Sequence, residues 1–194
     1  MDRIRHGSWR IGKTPVVVDY NESGSPAESA IYNIAEKAGA KRIAQTLNRF
    51  CSGRDVEKYA SQLIFAIAIG NLDMHAKNVS VIHLPDETIM LAPTYDQVPL
   101  RHQNTDGRLA LSVGGEYVHE KLTLADIAAE LTSWQYSGFS SEEKANAFIK
   151  RCLECYLNIL DNTKPVENAY PGLKADISSY ISNLLAGKSI GKTT

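Results

Sequence analysis

Apolar residues recur at helical spacing through most of this chain. From Asp55 to about Ile69, Tyr59, Leu63, Phe65, Ala66, Ile67 and Ile69 make the segment largely apolar, which predicts a buried helix capped by Asp55 and ended by Gly70-Asn71. An earlier helix is expected over residues 26–50, with Gly53 in the break between the two. Thr123 with Asp126 starts a helix to about Leu131, and Ser140 with Glu143 a longer one to about Asn162. In the longer helix Ala145, Phe148, Ile149, Cys152, Leu153, Tyr156, Ile159 and Leu160 follow core spacing. A last helix spans about Leu173 to Leu185 and carries Ile177, Tyr180, Ile181, Leu184 and Leu185, after which Gly187–Thr194 is expected to fray. Strand character is concentrated in Val79–Leu84 and Thr88–Ala92, joined by Pro85-Asp86-Glu87 as a hairpin. The expected fold is mainly α with a small β-hairpin, one domain over residues 1–194.

Between the buried helix and the hairpin lies the polar stretch Gly70-Asn71-Leu72-Asp73-Met74-His75-Ala76-Lys77-Asn78, and Asp96 follows beyond the hairpin in Pro93-Thr94-Tyr95-Asp96. The hairpin brings the two stretches side by side. Protein-kinase-type phosphotransferases place a catalytic Asp, an Asn five residues on and a metal-binding Asp beyond a short β excursion in this order. The chemistry explains the residue types. Magnesium takes oxygen ligands and one or two protein carboxylates, which Asp96 and the Asn78 side-chain oxygen would supply. Asp73 would accept or orient the proton of an attacking hydroxyl. Lys77 is a candidate for holding a phosphate oxygen as a point charge. Each residue also has a plainer reading: Asn and Asp turn chains after helices, His75 alone reads as a satisfied or solvated histidine, and Asp96 alone as a turn residue. The joint order of helix, polar loop, hairpin and terminal Asp is what favours chemistry.

Residues 70–80 together with Leu91-Ala92-Pro93-Thr94-Tyr95-Asp96 resemble the signature of HipA-type serine/threonine kinases, the toxin kinases of bacterial toxin–antitoxin systems. The Asp-x-His-x-Lys-Asn core and the Pro-x-Tyr-Asp segment are both present, and Leu109–Tyr117 followed by Leu-Thr-Leu-Ala-Asp is similar to the family's next segment. The resemblance is good over residues 55 to 130. It implies a protein-kinase-like helical C-lobe, with Asp73 as catalytic base, Asn78 as a magnesium ligand and Asp96 as the principal one. His75 and Lys77 match motif positions. The implied cofactors are ATP and Mg2+. The implied partners are a HipB-like DNA-binding antitoxin and a protein substrate, with translation-associated targets such as glutamyl-tRNA synthetase in the family.

A kinase also needs a glycine-rich strand pair over the phosphates and a lysine on the next strand. With helix expected from Pro26 onward, only residues 1–25 remain, too few for such a lobe. The expectation is a C-lobe starting just past the hinge: a fragment, one piece of a split gene, or a degenerate relative. Gly7-Ser8-Trp9-Arg10-Ile11-Gly12-Lys13-Thr14 fits the P-loop pattern, but six residues precede it and Pro15-Val16-Val17-Val18 reads as a strand. A working P-loop follows a strand and opens a helix, so this match is set aside. A C-lobe alone would expose apolar surface, and self-association or a complementing chain is expected.

Composition narrows the class further. At 43% hydrophobic over 194 residues, one sizeable core is possible. A net charge of −1 gives no footprint for nucleic acid or membrane. The sequence has neither a long apolar run nor a signal peptide, so a soluble cytoplasmic domain is expected. Cys51, Cys152 and Cys155 read as buried free thiols. Two other function classes remain open: a pseudokinase-like binding module for an antitoxin or client, and a small-molecule phosphotransferase sharing the Asp-x-x-x-x-Asn loop. The His-Ala-Lys-Asn core favours the protein kinase over the latter. Retention of Asp73, Asn78 and Asp96 together favours it over the former.

Overall fold

The structure, a computed structural model, describes residues 39–84, 86, 88–164 and 169–191. The hinge-proximal segment 1–25, the P-loop-like match and the first half of the helix expected over 26–50 lie outside the described residues. Among these residues the elements run α1 (Ala40–Phe50), α2 (Gly53–Ile69), β1 (Val81–His83), β2 (Ile89–Leu91), β3 (Arg108–Val113), β4 (Glu116–Val118), α3 (Leu124–Thr132), α4 (Glu142–Asp161) and α5 (Leu173–Leu185). The mainly helical architecture with small antiparallel strand pairs agrees with the expectation.

Helix α2 is the axis. Val56, Tyr59, Ala60, Leu63, Ile64, Ala66, Ile67 and Ala68 are all buried, and α1, α4, α5 and β2 pack around it. A helix buried over most of its surface is what its largely apolar pattern demands, and Arg54 and Lys58 in its first turns stay exposed. Its start differs from the reading of Asp55 as cap. Ser52 is the cap: its hydroxyl accepts from Asp55 N at 3.3 Å, while the Asp55 carboxylate accepts from Ser52 N at 3.2 Å. Two otherwise orphaned N–H groups are satisfied reciprocally, a device that stabilises a helix start by about 1 kcal/mol. At the other end Gly70 sits in the left-handed region with φ 69°, where a Cβ would lie 2.7 Å from Arg101 Cβ. Both the turn and the close approach therefore require glycine.

The Thr123–Asp126 box starts α3 as expected. Helix α4 starts one residue later than the Ser140–Glu143 pair suggested. Ser140 is already helical (φ −69°, ψ −8°) as the exit of the turn at Ser137–Phe139, whereas Ser141 has the extended backbone of a cap, and its hydroxyl accepts from Lys144 N. On α4, Ala145, Ile149 and Leu153 are buried, but Ile159 is 56% exposed and does not belong to the core.

The predicted hairpin forms with the register Val81↔Leu91, Ile82↔Met90 and His83↔Ile89, shorter at both ends than the β-prone runs. A second antiparallel pair, β3–β4, lies beyond the expected hairpin. It turns on Gly114 and Gly115, both at positive φ, and buries Leu109, Leu111 and Val113 on alternate positions.

One contiguous core unites these elements. Its largest buried side chains are Trp134, Tyr59 and Phe139; the Tyr59 and Trp134 rings stack at 5.2 Å, and Phe139 meets Trp134 edge-on. Glu130 is buried with them because its carboxylate accepts from Trp134 Nε1 at 2.9 Å and from Gly114 N at 3.1 Å. The expected fraying after α5 is not seen up to Gly191. Ile190 is fully buried, its N–H donates to Leu122 O, and Asn183 Nδ2 donates to Ile190 O. Burial of Ile190, with both of its backbone groups bonded and Gly191 N donating to Glu120 O, works against the entropy cost of ordering the tail. The cysteines are free thiols, but Cys51 and Cys152 are half-buried and Cys155 is exposed, correcting the reading of all three as buried. Cys155 sits on the outward face of α4, opposite the Ala145–Ile149–Leu153 stripe.

Candidate functional site: a polar loop joined to an aspartate turn

The segment after Gly70 leaves α2 extended, and its side chains alternate. Leu72, Met74, Ala76 and Asn78 are buried, while Asp73 is exposed and His75 and Lys77 are half-exposed. The buried set anchors the loop and the outward set forms a polar surface. A single 3-10 turn at Ala76–Asn78 closes the loop before β1.

Asn78 folds back on the start of the loop, its Nδ2 donating to Asp73 O at 3.0 Å. That leaves Oδ1 as the amide atom open to a cation, and among the described residues it makes no hydrogen bond. His75 Nε2 lies 4.0 Å from Asp73 Oδ1, and His75 N donates to Asp73 O. Asp96 is exposed and, unusually for a residue other than glycine, left-handed, with φ 56°. Its carboxylate is likewise free of hydrogen bonds among the described residues. Asn78 Oδ1 and the Asp96 carboxylate are hard oxygen donors of the kind magnesium takes, two in number, with the remaining positions left to water or phosphate. The donor set fits that ion. Among the described residues no cluster of three His, Cys, Asp or Glu side chains offers an all-protein cage.

Sequence reasoning passed over the residue that joins the two stretches. Asn71 is buried, its Oδ1 accepts from Asp73 N at 3.0 Å, and its Nδ2 donates to Asp96 O and to Gln97 Oε1, each at 3.3 Å. Tyr95 makes a second link: its hydroxyl donates to Lys77 O at 2.7 Å and lies 2.7 Å from Ser80 Oγ. The signal was present in the sequence, since a side-chain amide two residues before Asp73 can do what a backbone turn does, but its long-range partner was not legible.

The root of the loop is held from the other side. Gly70 O accepts from Leu100 N and Arg101 N, and Leu72 O accepts from Ala110 N on β3. Arg101 pairs with Glu120 at 3.0 Å. His119 is fully buried, with Nε2 2.8 Å from Ile67 O in the last turn of α2 and its ring edge-on to Tyr180. A carbonyl only accepts, so Nε2 carries the proton and Nδ1 is bare; Nδ1 is buried without a partner. Burial, with Arg101 adding to it, pushes the His119 pKa down to about 4 against the pull of Ile67 O and Glu120. The imidazole is therefore a neutral brace under the site.

Residues 20–158 match the HipA-like C-terminal domain. The Sinorhizobium fredii protein named Putative kinase Y4dM is 38% identical over 61 residues, which are 31% of this chain and 15% of that protein. A solved structure of the Shewanella oneidensis HipA, HipB and operator DNA complex superposes with a TM-score of 0.58 at 17% identity, covering 84% of this chain and 37% of that one. At that identity the likeness speaks to the fold alone, and the chain spans well under half the length of either protein. No described helix is long and apolar enough to cross a membrane. With the match running through α1, α2, both strand pairs, α3 and most of α4, the chain belongs to the HipA-like C-terminal domain family.

Proposed function

We propose that this chain is the helical lobe of a serine/threonine protein kinase that transfers the terminal phosphate of ATP to a protein hydroxyl with magnesium, once a strand-rich, nucleotide-covering lobe completes it. One observation carries the reading. Asp73 and Asn78 share one loop through a direct hydrogen bond, and Asn71 ties that loop to the Asp96 turn, so the three motif residues belong to one hydrogen-bonded unit.

In this reading Asn78 Oδ1 and the Asp96 carboxylate hold the cation, which when bound would neutralise phosphate charge. The exposed Asp73 carboxylate accepts the proton of the attacking serine or threonine hydroxyl as its oxygen bonds to the terminal phosphorus and the bond from that phosphorus to the departing ADP oxygen breaks. His75, 4.0 Å from Asp73, borders the same surface and helps to orient that carboxylate. Lys77 presents its charge on the outward side of the loop. A toxin role with a HipB-like antitoxin partner is proposed by likeness to the Shewanella complex, in which HipA is bound with HipB. A translation-associated protein substrate and a cytoplasmic setting are proposed from the family resemblance alone.

The test is a calorimetric titration of the chain with ATP, with and without Mg2+, beside Asp96→Asn. Magnesium-dependent binding in the wild type that the variant loses supports an assembled metal site. Equal magnesium-dependent binding by both would refute the role given to Asp96, and no binding by either would mean that this lobe needs its completing lobe to hold nucleotide.

A further inference from the structure

Asp96 holds a left-handed backbone conformation that a side-chain-bearing residue keeps only when its surroundings over-determine it. Two sets of hydrogen bonds do so. On one side Asn71 Nδ2 donates to the Asp96 carbonyl while Asn71 Oδ1 takes the Asp73 amide, so a single buried side chain fixes both aspartates. On the other side the Tyr95 hydroxyl has one proton, which goes to Lys77 O, so the Ser80 hydroxyl must donate to Tyr95 in turn. Lys77 and Ser80 flank Asn78. The residue before Asp96 is thus pinned to both sides of Asn78, and Asp96 itself to the residue that holds Asp73.

We infer that Tyr95 and Asn71 are positioning residues that lock the Asp96 turn onto the Asp73–Asn78 loop, presetting the separation of the two cation-binding oxygens before any ion arrives. The inference rests on the metal role proposed above for Asn78 and Asp96. Neither side chain touches the ion. They act through backbone and hydroxyl groups, as the outer partners of metal ligands do. Tyr95 is exposed, so its phenol adds little to the core, and the worth of its hydroxyl lies in these two bonds.

The test compares wild type with Tyr95→Phe, Ser80→Ala, Asp96→Asn and Tyr117→Phe, the last an exposed tyrosine outside the lock. Two readouts are taken: amide hydrogen exchange over residues 93–98, and affinity for Mn2+, a spin-visible stand-in for Mg2+. Tyr95→Phe should keep the wild-type melting temperature, speed exchange over residues 93–98 and weaken Mn2+ by roughly tenfold, the low end for a lost outer partner. Ser80→Ala should fall between the two, and Tyr117→Phe should change neither readout. Wild-type exchange in Tyr95→Phe overturns the lock. Faster exchange with unchanged Mn2+ affinity makes Tyr95 a brace without a positioning role, which also overturns the inference. If Asp96→Asn binds Mn2+ as wild type does, the metal reading itself has failed and the positioning role falls with it; the exchange data then show separately whether the lock exists.

Discussion

His119 makes the stability of this domain depend on pH in a way that can be worked out from one side chain. Its ordinary pKa of 6.5 falls to about 4 in the fold. The cause is burial first, opposed by the hydrogen bond to Ile67 O, with Arg101 lowering and Glu120 raising the value. The unfolded chain therefore binds a proton that the folded chain refuses between those two values. A depressed folded pKa means that the stability is fully present above about pH 6.5 and is lost as pH falls towards 4. For one group with these two pKa values, the loss from neutral pH is about 2 kcal/mol at pH 5 and about 3 kcal/mol at pH 4. The perturbation is His119→Gln, whose amide can still donate towards Ile67 O but does not titrate. Urea unfolding followed by far-UV circular dichroism at several pH values measures both proteins. Carboxylates contribute to both curves alike, so the difference between them isolates His119. The variant should be less stable than wild type near neutrality, and the gap should narrow by about 2 kcal/mol by pH 5. Parallel curves would refute the assignment of His119 as a buried neutral brace.

Further outcomes are expected from single changes. Gly70→Ala forces a Cβ into the left-handed region and to 2.7 Å from Arg101 Cβ, and should cost about 2 kcal/mol or more in thermal unfolding. A wild-type melting curve would show that the α2 exit has another conformation available. Trp134→Phe removes the donor to the buried Glu130 carboxylate, and a loss of about 2–4 kcal/mol is expected in urea titration. Ile190→Ala should cost about 2 kcal/mol if the tail is docked as described, and nothing measurable if it frays. Asp73→Asn, at an exposed carboxylate, should leave stability within about 0.5 kcal/mol while lowering phosphoryl transfer by the completed kinase by about 10²-fold or more. Turnover surviving that change would disprove the base assignment.

The chain's periodicity was enough to specify the helices, because an apolar repeat near 3.6 residues has few other ways to leave water. It marked α2 as largely buried and set the bounds of α5, and Thr123-x-x-Asp126 named its own cap. The order of Asp73, Asn78, hairpin and Asp96 was also legible, since a short hairpin returns the chain to where it started. The β3–β4 pair carried a local signal that went unread: Leu109, Leu111 and Val113 alternate before Gly114-Gly115, which is a strand running into a tight turn. Other features had no local signal. Whether Asn71 reaches Asp96, whether Tyr95 reaches Lys77 and Ser80, and whether His119 finds Ile67 O depend on side chains meeting residues 15 to 52 positions away. The docking of Ile190 on Leu122 and the exposure of Ile159 and Cys155 depend on which faces have neighbours. Periodicity and capping are properties of a few adjacent residues and survive in one dimension. Partners for buried polar groups are set by the packing of distant segments, and only the folded chain decides them.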